Sequence, residues 1–199
     1  MNTTQTDLFF LEGKTAVITG GGGVLCSTMS KALAKRGVQV AVLDLNLDAA
    51  KTVAEEILAD GGKAIAVQCD VLNKESIQSA YETVLSQFGK VDFLINGAGG
   101  NKAQATTSAE KPFFDLPADA TQFVFNLNFL GTFLPSQVIG KAMAEQGDGV
   151  IVNISSMNAF RPLTRIPAYS AAKASVSNFT QWLAVHIAQE YSPNIRVNA

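Results

Sequence analysis

Five short apolar runs constrain this chain more than any other feature. They are Lys14–Thr19, Val38–Leu43, Lys63–Gln68, Val91–Ile95 and Gly149–Ile154. Each has the length of one strand, and none alternates strictly between apolar and polar residues, so each expects cover on both sides. Helix-length segments separate them: Ser27–Arg36, Leu47–Leu58, Glu75–Phe88, Asp119–Glu145 and a last one carrying Tyr169 and running to Tyr191. Gly37, Asp60-Gly-Gly62, Gly89 and Gly147 supply the stops, and Pro135 is a point where the long helix can bend. Strands alternating with helices predict an α/β fold, a doubly wound parallel sheet with helices on both faces and right-handed crossovers. There is no internal repeat or low-complexity linker. With 199 residues and 47% hydrophobic composition, residues 1–199 suit one domain with a sizeable core.

The end of the first run narrows the fold further. Thr19 is followed by Gly20, Gly21, Gly22 and Gly23, and a helix opens shortly after. The second run closes on Asp44, 24 residues after Gly20. A glycine turn lets backbone approach a pyrophosphate, and the helix N-terminus favours its charge. A carboxylate at the end of the second strand can accept from ribose hydroxyls and repels a 2′-phosphate, so NAD is favoured over NADP. Taken singly, the glycines also fit a plain tight turn, and Asp44 also fits a turn or N-cap residue.

A third feature carries chemistry. Tyr169 and Lys173 are four residues apart, which on a helix places them on one face. A lysine ammonium beside a phenol, whose ordinary pKa is ~10, favours the phenolate and makes the tyrosine a usable acid or base nearer neutrality. Ser156 follows the fifth run and lies 13 residues before Tyr169. Its hydroxyl, at a strand end, can share one substrate oxygen with the phenol. A Tyr-x-x-x-Lys spacing alone also occurs by accident on ordinary helices.

Together these motifs resemble the short-chain dehydrogenase/reductase family, over essentially the whole chain. Thr19-Gly-Gly-Gly-Gly-Val-Leu-Cys26 sits at the family's Thr-Gly-x-x-x-Gly-x-Gly, Cys69-Asp70-Val71 at its adenine-contacting Asp-Val, and Asn96-Gly-Ala-Gly99 at its Asn-Asn-Ala-Gly. Asn128-Phe-Leu-Gly-Thr-Phe133 matches the helix bearing its catalytic Asn. The resemblance implies a Rossmann-type fold with Asn128, Ser156, Tyr169 and Lys173 as catalytic residues. It implies cofactor contacts from Gly20, Gly22, Gly23, Val24, Leu25, Asp44, Asp70, Val71, Asn96, Gly97, Ala98, Tyr169 and Lys173. In that scheme Tyr169 exchanges the proton, Ser156 holds the substrate oxygen, Lys173 also holds the nicotinamide ribose, and Asn128 positions a water in a proton relay. A homodimer or homotetramer through the two long helices is implied as well, with Phe123, Phe125, Phe129, Phe133, Phe179 and Trp182 as core or contact and His186 as a packing or interface residue. No metal is implied.

Two departures stand out. Val24 and Cys26 replace the second and third family glycines, and Cys26 falls where close helix–strand packing leaves little room for a side chain. The family usually continues past Ile195-Arg-Val-Asn-Ala199 into a further strand and a substrate lid, so the chain reads as a truncated form lacking part of the fold and pocket. Within the family, the glycine turn, Gly97-Ala-Gly-Gly-Asn101 and the stretch Ser156–Tyr169 resemble the D-mannonate oxidoreductase subgroup, also called fructuronate reductases. A sugar acid needs cations for its carboxylate and amides for its hydroxyls, which makes Arg161, Arg165, Lys102, Asn101 and Asn158 candidate substrate contacts. Each of these charges also fits a solvated surface. Other readings are a reductase of another polyol, sugar or 3-oxoacyl substrate, or a non-catalytic NAD-sensing protein.

Charge and cysteine usage exclude other classes. A net charge of −2, with 16% charged residues and no Lys/Arg cluster, argues against a nucleic-acid surface. Cys26 and Cys69 lack metal-ligand spacing or a disulfide framework and suit a reducing compartment. Met1–Asp7 has no basic, apolar leader, and no apolar stretch reaches membrane-spanning length, so a soluble cytoplasmic protein acting on a small molecule is expected.

Overall fold

The computed structural model describes residues 11–199; the leader expectation for Met1–Asp7 lies outside them. Six strands form one parallel sheet: β1 (Thr15–Thr19), β2 (Gln39–Asp44), β3 (Lys63–Gln68), β4 (Phe93–Asn96), β5 (Gly149–Asn153) and β6 (Ile195–Asn198). Five helices connect them: α1 (Val24–Ala34), α2 (Leu47–Ala59), α3 (Lys74–Phe88), α4 (Ala118–Gln146) and α5 (Pro167–Glu190). The strand order is β3-β2-β1-β4-β5-β6. The chain moves outward from β1 to β3, then returns to the other side of β1, leaving a topological switch point between β1 and β4.

The central strands are apolar on both faces because both faces are covered. Ala16 and Ile18 of β1 pack with Val53, Ala54 and Ile57 of α2. Val17, on the opposite face, packs in the cluster holding Val84 of α3, Ile139 of α4 and Leu183 of α5. Ile18, Leu94, Ile139 and Ile151 are each fully enclosed, and burial of such a side chain stabilises by roughly 1.5–3 kcal/mol. The cover is uneven. β5 alternates buried and half-buried residues, and β6 alternates buried Ile195 and Val197 with exposed Arg196 and Asn198. Val152, on the half-buried face of β5, packs at the margin of the cluster that holds residues of α1 and α2.

Local chemistry sets the helix ends. The Asn46 side chain accepts from the N–H groups of Asp48 and Ala49, and that of Asn73 from Ser76, capping α2 and α3. Gly89 and Gly147 close α3 and α4 in the left-handed conformation, with φ of 78° and 77°. α1 begins at Val24, three residues before the sequence expectation, because the extended Gly23 ends the turn early and acts as its N-cap. α4 continues unbroken through Pro135. β6 is absent from the sequence reading: four residues after a Pro-Asn turn give too short a pattern, and pairing with β5 makes it a strand. The polar segment between β4 and α4 contains two 3₁₀ turns, Ala103–Ala105 and Phe113–Asp115.

Register brings the strand ends level. Thr19 is paired with both Leu43 and Asn96, and Asn96 with Asn153. Beneath these ends a buried polar ladder joins the sheet to both long helices. Asn96 Nδ2 donates to Asn153 Oδ1 (2.8 Å) and to Ser136 Oγ of α4 (3.0 Å). Asn153 Nδ2 donates to Thr180 Oγ1 of α5 (2.9 Å). Among the described residues no helix is long and apolar enough to cross a membrane.

Candidate active site and cofactor cleft

A cleft of about 410 Å³ opens at the carboxyl ends of β1, β2 and β4. Of the cofactor candidates, Gly20, Gly23, Val24, Leu25, Asp44, Asp70, Val71, Gly97 and Ala98 line it, together with Cys26, Leu45, Cys69, Gly99 and Leu127. Gly20 has φ +62°, and a Cβ there would lie 2.8 Å from Ala98 Cα, so only glycine allows this approach between the first and fourth strand ends. Gly22 faces α2 instead: its Cβ position lies 2.7 Å from Ala49 Cβ. Its N–H donates to Asp44 Oδ2 at 3.0 Å, while Asn46 N–H donates to Oδ1 at 2.9 Å. Asp44 thus braces the glycine turn and serves as a turn residue, and each carboxylate oxygen keeps a lone pair for a ribose hydroxyl.

α1 has no side-chain cap and no acidic residue in its first turn. The N–H groups of Val24, Leu25 and Cys26 therefore have no intrahelical partner and favour an anion. This donor set, beside a carboxylate that suits a ribose and a wall that admits no side chain at Gly20, fits a dinucleotide. Asn96 does not line the cleft. It is 1% exposed, its amide nitrogen belongs to the buried ladder, and its Oδ1 has no partner.

None of the four catalytic candidates lines that cleft; Asn128 and Lys173 adjoin it through Gly99. Lys173 is 4% exposed, and its ammonium donates to the Ile154 carbonyl at 2.6 Å. Burial pulls its pKa down to about 8. Its Nζ stands 5.6 Å from the centre of the half-buried Tyr169 ring, one turn earlier. Ser156, half-buried at the end of the β5 segment, caps the short turn Met157–Ala159 by accepting from Asn158 N–H.

Asn128 is fully buried in α4. Its Nδ2 donates to Gly100 O and Val124 O (2.7 Å each), and its Oδ1 accepts from Gly100 N–H (3.1 Å). The loop after β4 is thereby clamped. Gly99 fills the gap: a Cβ there would lie 2.6 Å from Asn128 Oδ1 and 3.4 Å from Lys173 Nζ.

The substrate candidates are more scattered. Asn101 is exposed and donates to Thr106 Oγ1 (2.7 Å). Lys102 is half-buried with its ammonium 4.7 Å over the Phe123 ring. Asn158 is buried in the turn after Ser156. Arg161 and Arg165 are exposed, and neither has an ion-pair partner among the described residues. The two loops holding these residues meet where Thr107 N–H donates to the Arg165 carbonyl (2.9 Å).

Sequence reasoning left out Cys26, Leu45, Cys69, Gly99 and Leu127 as lining residues. Cys26, Cys69 and Gly99 lie within the quoted motifs, and Leu45 and Leu127 adjoin Asp44 and Asn128, so adjacency was the available signal. Cys69 has its pKa pushed up to about 11 by burial, which keeps the thiol protonated.

Known proteins are similar to this chain over most of its length. The sequence profile of the family described as short chain dehydrogenase matches residues 14–199. The uncharacterized oxidoreductase UxuB of Bacillus subtilis (strain 168) is 50% identical over 197 residues, spanning 95% of this chain and 70% of the relative. The 7alpha-hydroxysteroid dehydrogenase of Escherichia coli (strain K12) is 34% identical over 194 residues, spanning 98% and 72%. A crystal structure of a provisionally named D-mannonate oxidoreductase from Haemophilus influenza, with bound NAD, superposes with a TM-score of 0.90 at 51% identity, covering 95% of this chain and 70% of that one.

Proposed function

The chain belongs to the short-chain dehydrogenase family and is an oxidoreductase, and from that premise we propose that it interconverts D-fructuronate and D-mannonate with NAD as cofactor. NAD fits the free first-turn N–H groups of α1, the glycine turn and Asp44, and the 51%-identical Haemophilus protein carries it. When bound, NAD supplies the hydride acceptor or donor.

The chain's own residues handle the proton and the substrate. Tyr169 gives its hydroxyl proton to the substrate oxygen in reduction and takes it back in oxidation. Ser156 Oγ holds the same oxygen. Lys173, fixed by the Ile154 carbonyl, places a cation beside the phenol ring. Asn128 holds Gly99 and Gly100 against Lys173, and the water relay expected of it is part of this proposal. The observation that carries the reading is the buried Lys173 ammonium, bonded to Ile154 O and facing Tyr169, where the cleft ends.

Arg161 and Arg165 would clamp the substrate carboxylate, with Lys102, Asn101 and Asn158 toward the hydroxyls. The support is unpaired guanidinium charge in the loop between Ser156 and Tyr169, together with the provisional name of the Haemophilus relative. The proposal includes a homodimer or homotetramer through α4 and α5. There Phe129, Phe133, Phe179, Trp182 and His186 form a continuous aromatic row, and Trp182 is 55% exposed. A cytoplasmic setting completes it, since both cysteines are unpaired and buried.

The test is NADH consumption with D-fructuronate by the full-length protein, with Tyr169→Phe as blank. Rapid turnover, absent in the blank and slower with NADPH, is expected. NADH binding without turnover would discard the sugar acid in favour of another polyol or carbonyl substrate. Arg161→Ala and Arg165→Ala should raise KM for the acid more than for its neutral alcohol analogue, and an equal effect would refute the clamp.

A further inference from the structure

Cys26 is the third residue of α1, 4% exposed, at the floor of the cofactor cleft. Its thiol occupies the space that a side chain at residue 97 would need. A Cβ on Gly97 would overlap Cys26 Sγ outright, and would lie 3.7 Å from Cys26 Cβ and 2.9 Å from Thr19 O. Since non-bonded heavy atoms rest roughly 3.5–4 Å apart, a thiol at 26 and any side chain at 97 exclude one another. Two positions that differ from the motifs quoted above, Cys26 in place of a glycine and Gly97 in place of an asparagine, are therefore a matched large–small exchange across the cleft.

What the pair holds is the loop leaving β4. On one side Ala98 abuts Gly20, and Gly97 abuts Cys26. Thr19 Oγ1 accepts from the N–H groups of Gly97 (3.1 Å) and Ala98 (3.3 Å). On the other side Gly99 is wedged between Asn128 Oδ1 and Lys173 Nζ. The loop thus joins the glycine-turn end of the cleft to the Lys173 end, held on both sides by close contacts. We propose that Cys26 is a positioning residue for the cofactor: its thiol, seated against Gly97, sets where the Gly97–Gly99 loop lies and so the spacing between the two ends of the cleft. The role is steric. Burial and the nearby Asp44 carboxylate raise the thiol pKa, consistent with a protonated, uncharged filler. The inference rests on the NAD-binding reading and not on the identity of the substrate.

The test is a double-variant cycle in the full-length protein, read by NADH fluorescence titration without substrate, by melting temperature, and by kcat and KM for NADH. Gly97→Ala should raise the NADH Kd by about tenfold or more, as expected for overpacking. Combining it with Cys26→Gly should recover most of that loss; the remaining approach to Thr19 O leaves recovery incomplete. Cys26→Ala, which removes only the sulfur, should raise KM for NADH several-fold, and Cys26→Ser, of nearly equal size, should restore most of that change. A double variant that binds NADH no more tightly than Gly97→Ala overturns the inference, as does a Cys26→Ala enzyme with unchanged KM. Failure of the unaltered protein to bind NADH would refute the cofactor reading itself, a separate outcome.

Discussion

Replacing Lys173 by Met should make the folded protein more stable at neutral pH while abolishing its turnover. Lys173 is 4% exposed, and burial lowers its pKa from 10.5 to about 8. At ~1.4 kcal/mol per tenfold, holding this ammonium in the site costs about 3 kcal/mol of folding free energy at pH 7. The charge-assisted bond to Ile154 O at 2.6 Å is lost in Lys173→Met, and such bonds are worth roughly 1.5–3 kcal/mol. Methionine fills the same slot without a charge. The balance is a gain of about 1 kcal/mol, or roughly 2–4 °C in melting temperature for a chain of this size.

The pH dependence gives the prediction its sign. Because the folded pKa is depressed, the cost in the wild type is full below about pH 8. It fades as pH rises from there toward 10.5, where the unfolded chain binds the extra proton. The advantage of Lys173→Met should therefore hold up to pH 8 and shrink, then reverse, on the way to pH 10. Urea unfolding of both proteins across this range, followed by circular dichroism, measures the gap. A variant already less stable at pH 7, or a gap that does not move with pH, would refute the reasoning that burial of the charge is the dominant effect.

Asp44→Ala should lower the ratio of kcat/KM with NADH to that with NADPH by about tenfold or more, because the carboxylate that repels a 2′-phosphate is gone. An unchanged ratio, measured on the two cofactors side by side, would remove Asp44 as the reader. Asp92 is 2% exposed and lies between the ammonium groups of Lys14 (3.0 Å) and Lys90 (2.9 Å), accepting also from Thr15 N–H. Burial alone would raise its pKa, but these partners outweigh burial and lower it below 3.8. Asp92→Asn should then cost roughly 1.5–3 kcal/mol at pH 7, the worth of a hydrogen bond to a charged group. That gap should close as pH falls below about 4 through the depressed folded value. Chemical denaturation at pH 7 and pH 3 checks both parts, and equal gaps at the two values would contradict the assignment.

The residues of the site can be read from the chain because their chemistry is local. A glycine turn closing an apolar run, an acid closing the next, and Tyr169 one helical turn before Lys173 are short-range patterns whose spacing follows from backbone geometry. The first five strands and the helices could likewise be read from period and breakers, since apolar runs covered on both faces have few other stable uses.

What escaped is long-range. β6 is four residues long and becomes a strand only because β5 offers it an edge. The order β3-β2-β1-β4-β5-β6, which leaves the cleft between β1 and β4, depends on contacts between segments dozens of residues apart. Asn96 carries a motif position yet turns into the buried ladder, because Ser136 and Asn153 stand within reach only after folding. Cys26 seemed too large for its position, and only the approach of Gly97, 71 positions along the sequence, makes room for it. The sequence alone determined which side chains this protein can use. The tertiary structure decided which of them are buried, what each one touches and therefore how Lys173 is tuned, because desolvation and steric fit arise between segments that are distant in the chain.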